Sequence, residues 1–177
     1  VVSGPDALAA ARKARTVFLD KTGTLTSAKL TLDELLVAPG VDEAEVWRAL
    51  ASLEAASEHP IAKAVLTAAA ERGVRPTQVT EVRVEAGVGV SGSVNGAGYA
   101  VRRPSALGSA SSTAAAAELN VLPVDWQRAL ETPATALVLW RGETPIALAL
   151  LRDTIKPDAL EAIRELKALD LEPVLLS

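Results

Sequence analysis

The loop after the first apolar segment carries the residue types best suited to chemistry. Residues 16–19, a β-branched and aromatic run, predict a buried strand that ends at Asp20. Open α/β sheets bind their ligands at the carboxyl ends of parallel strands, where this carboxylate would lie. Gly23 lets the backbone amides, together with the threonine hydroxyls of residues 21–26, close around an anion. The pattern indicates a phosphate-binding loop, and a capping Asp in a polar turn is the alternative.

A second group of polar residues separates two predicted helices. Ser57, Glu58 and His59 precede Pro60, and the carboxylate of Glu54 lies five residues before the imidazole. Proline fits the first turn of a helix, so the second helix is expected to begin at Pro60. On the residues alone, a histidine beside a proline is more often a capping or surface residue than a ligand contact.

A third pattern is the glycine-rich segment at residues 87–94, which contains Gly87, Gly89 and Gly92. It formally matches both a dinucleotide fingerprint and a kinase glycine-rich loop. A dinucleotide site needs glycines that open a helix, but these lead into a strand and an Asn-Gly turn. The His-Arg-Asp and Asp-Phe-Gly segments of kinases are missing from the sequence. Glycines that permit a bulge in a sheet are the structural alternative to a ligand contact.

Predicted helices and strands position these candidate residues. Helical spacing predicts a hairpin of two helices, one from a capping box at Asp42 and Glu45 and one from Pro60 to Gly73. Alternating apolar residues and an Asn-Gly turn predict an antiparallel sheet over residues 82–101. Further helices are predicted over 3–15, 113–119, 125–131 and 157–169, and further strands over 30–37, 134–140, 146–151 and 172–176.

Composition limits the possible partners. The chain has 177 residues, 49% of them hydrophobic and 23% charged, which predicts one or two globular domains. A net charge of -4 without a basic cluster argues against nucleic acid as a partner. The absence of cysteine excludes a disulfide partner and thiolate metal sites. No apolar run approaches the roughly 20 residues that span a bilayer.

Residues 20–26 match the phosphorylation motif of P-type ATPases letter for letter, and the chain resembles the heavy-metal-transporting members of that family. Ser-Glu-His-Pro at 57–60, Gly-x-Gly at 87–89 and the Asp-x-x-Lys-Pro segment from residue 153 are also similar to family segments. The resemblance implies an α/β fold in the form of a partial haloacid dehalogenase-like phosphorylation domain. An α+β nucleotide-binding domain, built on an antiparallel sheet with a helical hairpin, would be inserted in it. The expected boundaries are 1–29 and 137–177 for the two parts of the phosphorylation domain, and 30–136 for the insert.

The resemblance implies that Asp20 takes the γ-phosphate of ATP. Its carboxylate and the backbone carbonyl of Thr22 would hold Mg²⁺, and Thr24 would contact the phosphate. Lys21 adds positive charge beside the site or is simply solvated. Phosphoryl transfer needs an in-line nucleophile, a metal and fixed dipoles, and a carboxylate can attack without losing a proton.

For the nucleotide, the resemblance implies that Glu54 and His59, at the Pro60 helix start, hold and orient ATP. An imidazole can stack on adenine or hydrogen-bond to it, and a carboxylate can accept from the exocyclic amine. Gly87 and Gly89 would let adenine or ribose approach the backbone where a side chain would collide.

The sequence departs from the family pattern at three places. Arg102 and Arg103 stand where Gly-Asn is expected, and they could reach phosphates or be an exposed pair. Pro133 replaces a glycine. The chain stops at Ser177, before a Gly-Asp segment, a lysine and metal-binding aspartates of the family. The chain is therefore expected to bind ATP or ADP weakly, without full turnover or a stable aspartyl phosphate.

The parent is expected to be a translocase that exports heavy-metal cations, with copper(I) the first choice and zinc or cadmium pumps as close relatives. Its transmembrane and actuator domains would be the partners of this region, on the cytoplasmic face of the membrane. The fragment itself is expected to be soluble and monomeric. Two alternatives remain: a soluble haloacid dehalogenase-like phosphatase or mutase, which usually carries a second Asp where Thr22 stands, or a nucleotide-binding module without turnover.

Overall fold

The computed structural model describes residues 14–55, 57–85, 87–104 and 120–176. The strands are β1 (Thr16–Asp20), β2 (Thr26–Val37), β3 (Val79–Glu85), β4 (Gly89–Val94), β5 (Ala97–Arg102), β6 (Thr135–Arg141), β7 (Thr144–Ile155) and β8 (Glu172–Leu176). The helices are α1 (Glu43–Glu54), α2 (Pro60–Glu71), α3 (Val124–Leu130) and α4 (Ala159–Ala168). The helix predicted over 113–119, and nearly all of that over 3–15, lie outside the described residues. Within the described residues, no helix combines the length and the apolar character needed to cross a bilayer.

The chain forms two compact units. We call Leu30–Arg152 the inserted unit, and the described residues before and after it the split unit. The first division, after Lys29, falls where the motifs placed it, but the second does not. Residues 137–152 were expected in the phosphorylation domain, whereas β6 and most of β7 belong to the inserted unit. An apolar run indicates a buried strand without saying to which sheet the strand belongs, so sequence alone misplaced this boundary.

The inserted unit is built on a six-stranded sheet in the order β2-β7-β6-β5-β4-β3. Each pair from β3 to β7 is antiparallel. One face packs against α1 and α2 through an apolar cluster that includes Leu50, Val65 and Leu139. The other face packs against α3 through a cluster that includes Trp126 and Leu148. The central strands are therefore covered on both faces, which explains their continuous apolar sequence.

The helical hairpin of the inserted unit has a well-defined start for each helix. The side chain of Asp42 accepts a hydrogen bond from the backbone N–H of Ala44 and caps α1. The predicted partner in the capping box, Glu45, has another role: its Oε1 accepts from the Tyr99 hydroxyl and from Arg141 Nη1, both at 2.8 Å. Pro60 occupies the first turn of α2, as predicted. The hairpin is thereby tied to β5 and β6 as well as packed on the sheet.

The split unit contains the parallel pair of β1 and β8, followed in register from Thr16 opposite Glu172 to Asp20 opposite Leu176. The parallel pairing agrees with the expected α/β fold, but the burial expected for the strand before Asp20 is wrong at Phe18, and β8 is partly exposed as well. Phe18 is 63% exposed and Leu175 is 51% exposed. The apolar sequence identifies the strands because their spacing is local, whereas burial depends on what covers the sheet.

Candidate functional site

The Asp20 loop lies in the split unit, at the carboxyl end of β1. Asp20 is exposed, and Lys21–Leu25 forms a single π-helical turn that places Lys21 and Thr24 in solvent as well. Gly23 has φ +81°, a conformation that residues with a Cβ adopt rarely. Single π-helical turns are rare and are frequently found at functional sites. The turn therefore holds the Asp20 carboxylate where a ligand can reach it.

Contacts distant in sequence maintain this turn. The Thr26 hydroxyl accepts from the N–H of Gly23 at 3.2 Å, and its own proton lies within reach of the Lys21 carbonyl and of Asp153 Oδ2. Lys156 Nζ donates to the Gly23 carbonyl at 2.8 Å. The sequence had marked Asp153 and Lys156 only as part of a family segment. Their role as supports of the loop became visible because the fold brings residues 127 and 133 positions apart into contact.

The Asp20 loop has the donor set for a shared metal ion but not for an independent one. In the described parts of the chain, no group of three histidine or acidic side chains could hold a metal ion. Magnesium in phosphoryl-transfer sites is commonly bound by one or two carboxylates together with substrate phosphates and water. The exposed Asp20 carboxylate fits that arrangement. The side chain of Thr22 lies outside what the structure describes.

The inserted unit contains a cavity of about 340 Å³ that gathers four of the residues predicted to bind nucleotide, whereas Pro60 is not among the residues that line it. Glu54, His59, Gly87 and Gly89 all line it, although they come from the end of α1, the connection to α2 and the turn before β4. This volume lies at the lower end of the range typical for small-molecule sites. The rest of its wall is mainly apolar: Leu53, Ile61, Val82, Val84, Val90, Val101 and Leu137. The arrangement suits a flat apolar ring that carries a few polar groups.

Glu54 supplies a buried carboxylate to this cavity. Glu54 is only 7% exposed. Burial raises the pKa of Glu54 above its ordinary value, and the nearby charge of Arg103 opposes part of that rise. A carboxylate with little water around it is strongly stabilised by a ligand that donates a hydrogen bond to it.

His59 both caps a helix and faces the cavity. Its Nδ1 accepts from the backbone N–H of Ile61 at 3.2 Å, which makes it the N-cap of α2. Its Nε2 lies 3.3 Å from Nη2 of Arg103. The two interpretations of a histidine beside Pro60, a capping residue or a ligand contact, are therefore compatible in this geometry.

The two glycines of the cavity each have a structural reason to be glycine. Gly87 has φ +79°, which favours glycine at the turn before β4. A Cβ on Gly89 would lie 1.9 Å from the carbonyl oxygen of Val101 on the adjacent strand. The close approach of β4 and β5 thus requires Gly89 whether or not a ligand binds. The reason differs from the bulge expected as the structural alternative, because the register of β4 with β5 is continuous.

The structure also adds residues that the motifs had missed or left open. Val82 and Val84 line the cavity while 47% and 76% exposed, an unusual state for apolar residues on a strand. The side chains of Arg102 and Arg103 make different contacts. The Arg102 guanidinium lies 5.6 Å from the centre of the Trp140 ring, whereas Arg103 lines the cavity. Pro133 is exposed. The alternation of Val82 and Val84 predicted a strand with one apolar face, but only the structure shows that this face lines a cavity. The direction of each arginine likewise required the geometry of β5.

Comparison with known proteins agrees with these motifs. Residues 14–177 match the family described as haloacid dehalogenase-like hydrolase. The chain is 36% identical over 169 residues to the copper-exporting P-type ATPase B of Archaeoglobus fulgidus, covering 94% of this chain and 23% of that relative. The chain therefore spans about a quarter of the length of this curated relative.

Two solved structures are similar in fold. A zinc-transporting PIB-type ATPase in its E2.Pi state matches with a TM-score of 0.79 and 26% identity, covering 100% of this chain and 28% of that chain. The catalytic domain of the CPx-ATPase CopB-B, in a study of conformational changes upon nucleotide binding, matches with a TM-score of 0.71 and 22% identity. That match covers 100% of this chain and 59% of the other, and it bears on the fold alone.

Proposed function

This chain belongs to the haloacid dehalogenase-like hydrolase family, and from that premise we propose that it is the ATP-binding and phosphorylation region of a heavy-metal-exporting P-type ATPase. The inserted unit is the nucleotide-binding domain, and the split unit is the phosphorylation domain. One observation carries the proposal: Glu54, His59 and the glycine-rich turn line a single cavity of the size and character that a nucleotide base requires.

In this proposal the adenine ring lies against the apolar wall formed by Val82, Val84 and Ile61. The buried Glu54 carboxylate accepts from the exocyclic amine of the base, which gives it the hydrogen-bond donor that burial makes favourable. His59 presents Nε2 to the same cavity, while Nδ1 remains bound to the start of α2. Recognition of the nucleotide is thus built on the helical hairpin and the glycine-rich turn before β4.

Asp20 is the acceptor of the γ-phosphoryl group. A carboxylate needs no general base to remove a proton, and the exposed π-turn leaves the Asp20 oxygen accessible for in-line attack on the γ-phosphorus of ATP. The bond from the γ-phosphorus to the bridging oxygen then breaks, and ADP is the leaving group. Lys21 and Thr24 lie in the same exposed turn and are the groups placed to contact phosphate oxygens. Asp20 and the backbone carbonyl of Thr22 would hold Mg²⁺, which neutralises charge on the phosphate oxygens. Thr26, Asp153 and Lys156 keep the turn in shape.

Copper(I) is the first choice for the transported ion because the curated relative described above exports copper, although the PIB-type structure transports zinc. The transmembrane and actuator domains of the parent chain are then the partners of this region, on the cytoplasmic face of the membrane. The region itself is proposed to be soluble and monomeric.

Nucleotide binding is tested by following backbone chemical shifts while ATP is added. The changes should cluster at residues 54–61 and 87–92, and His59→Gln should weaken binding. Glu58→Gln is the matched control, because the exposed Glu58 carboxylate pairs with Lys63 at the surface. Shifts scattered over the surface, or equal affinity in the His59 variant, would contradict the assignment of the cavity.

Phosphorylation is tested separately in the full-length gene product. Incubation with Mg²⁺ and γ-labelled ATP should leave an acid-stable, hydroxylamine-sensitive label on the protein, as expected for an acyl phosphate. Asp20→Asn should remove the label while ATP still binds in the cavity. Label that persists after the Asp20→Asn substitution would show that another residue is the acceptor.

A further inference from the structure

Two side chains that both donate hydrogen bonds face each other in the cavity. Nη2 of Arg103 lies 3.3 Å from Nε2 of His59. A guanidinium group only donates, so a hydrogen bond at this position requires a lone pair on Nε2. Whether Nε2 has that lone pair depends on the other nitrogen of the ring.

The start of α2 decides the state of the imidazole. Nδ1 of His59 accepts the backbone N–H of Ile61, so the lone pair of the neutral ring lies on Nδ1 and its proton lies on Nε2. The opposite tautomer would satisfy Arg103 but would turn an N–H toward the N–H of Ile61 and lose the cap. The pair therefore cannot satisfy both of its donors by itself. Two converging donors need an acceptor between or beside them.

Arg103 supplies the positive charge that an anionic acceptor needs. Among the described residues that line the cavity, Arg103 alone has a fixed positive charge, and Glu54 and Glu85 are the carboxylates. The backbone of Arg103 is held in place, because its N–H donates to the Val88 carbonyl in the glycine-rich turn at 3.1 Å. Its long side chain can therefore turn about a fixed base. Guanidinium groups bind phosphate through paired, charge-assisted hydrogen bonds.

We propose that Arg103 and the Nε2–H of His59 form a phosphate subsite that binds the phosphate chain of the nucleotide whose base contacts Glu54. The proposal rests on the proposed function, since it places a second part of the same ligand. It also gives Arg103, which departs from the Gly-Asn pattern, a role that the neighbouring Arg102 over Trp140 does not share.

The test compares the dissociation constants of ATP and adenosine for the wild-type chain, Arg103→Ala and Arg102→Ala. The Arg103 variant should bind ATP roughly tenfold or more weakly, the loss expected for a charge-assisted hydrogen bond, and should bind adenosine unchanged. Arg102→Ala removes the same charge one residue away and is the matched control, with both affinities retained. Denaturant unfolding of each variant checks that the fold is intact.

The outcomes separate the subsite from the proposed function. Equal weakening of ATP and adenosine would overturn the subsite, because Arg103 would then act on the base pocket. Unchanged ATP affinity in the Arg103 variant would overturn it too. A wild-type chain that binds neither ligand would instead overturn the proposed function. Ring-nitrogen NMR of His59 gives an independent check: a proton on Nδ1 rather than Nε2 would remove the pair of converging donors on which the subsite depends.

Discussion

The two units of this chain hold their candidate sites in different ways. In the inserted unit, both faces of the sheet are covered, and the cavity wall shares residues such as Ile61, Val101 and Leu137 with the main apolar cluster. In the split unit, large apolar side chains including Phe18 and Leu160 are more than half exposed. The cavity is therefore part of a core, whereas the Asp20 loop depends on a few polar contacts.

The difference suggests a division of properties between the units. A cavity formed by a packed core is preorganised, because its walls cannot move without loss of packing. A loop held by Thr26, Asp153 and Lys156 can change shape by exchanging hydrogen bonds, at a net cost of about 1 kcal/mol for each. We expect variants of the core to change folding and nucleotide binding together, and variants of the split unit to leave the cavity unchanged.

The strongest test of this contrast is to express the inserted unit alone. Residues 30–152 should fold and keep the ATP-induced shifts, because the fragment retains both apolar clusters and all six strands of the sheet except the first residues of β2 and the last residues of β7. Residues 30–136, the domain expected from sequence, should not fold, because Ile146–Leu151 of β7 are at most 1% exposed and their loss opens the centre of the sheet. Dispersion of the amide NMR signals distinguishes the two results. A folded 30–136 fragment would refute the structural boundary.

Large-to-small substitutions should then affect the two units unequally. Leu50 of α1 is completely buried, so Leu50→Ala should lower the free energy of unfolding by about 2–5 kcal/mol. Phe18→Ala, at a residue 63% exposed, should change it by no more than about 0.5 kcal/mol. All three tryptophans, Trp47, Trp126 and Trp140, lie in the inserted unit, so their fluorescence during denaturant unfolding measures this unit directly. An equal shift in both variants would mean that the units unfold as one.

A smaller effect is expected at Gly89. A methyl group there would overlap the Val101 carbonyl, so Gly89→Ala should separate β4 from β5, destabilise the inserted unit by about 1–3 kcal/mol and weaken ATP binding with it. Gly98→Ala on β5 is the control, because nothing lies within 4 Å of the added Cβ. Thermal unfolding and ATP titration measure both effects. If Gly89→Ala weakens binding at unchanged stability, its role is ligand contact rather than strand pairing.

The smallest expected effect is the pH dependence contributed by Glu54. Burial raises the folded-state pKa of Glu54 above the ordinary 4.5, so its contribution to stability is fully present below about pH 4.5 and is lost as the pH rises through the folded-state pKa. Glu54→Gln removes that loss and should be more stable than wild type near neutral pH, while its uncharged carbonyl should accept a weaker hydrogen bond from the adenine amine.

Unfolding free energies measured from pH 4 to 8 should show the difference between Glu54→Gln and wild type growing with pH. The loss of stability with rising pH should be larger in Arg103→Ala, which lacks the charge that opposes the rise in the pKa of Glu54. A difference that stays constant over this range would show that burial does not change the ionisation of Glu54.

Much of the fold and the family resemblance could be predicted from local patterns. The resemblance and the fold class are confirmed by the family match and by the structural neighbours. Asp20 follows a strand, Pro60 begins a helix and the Asn-Gly turn joins two strands because each depends on residues adjacent in sequence. The Asp42 and Glu45 pattern predicted a cap correctly at Asp42 but could not show that Glu45 bonds to Tyr99, 54 residues away.

The sequence by itself determined the strand and helix types, the Asp20 loop motif and the two further groups of residues that could bind a nucleotide, because residue types and spacing along the chain express them. Tertiary structure decided that β6 and β7 complete the inserted sheet, that Gly89 faces a carbonyl, that Lys156 holds the Gly23 carbonyl and that Arg103, unlike Arg102, faces His59. These facts depend on how strands pair and where side chains point after the sheet twists. Separation along the chain carries no record of that geometry, because contacts across a sheet join residues whose spacing in sequence is arbitrary.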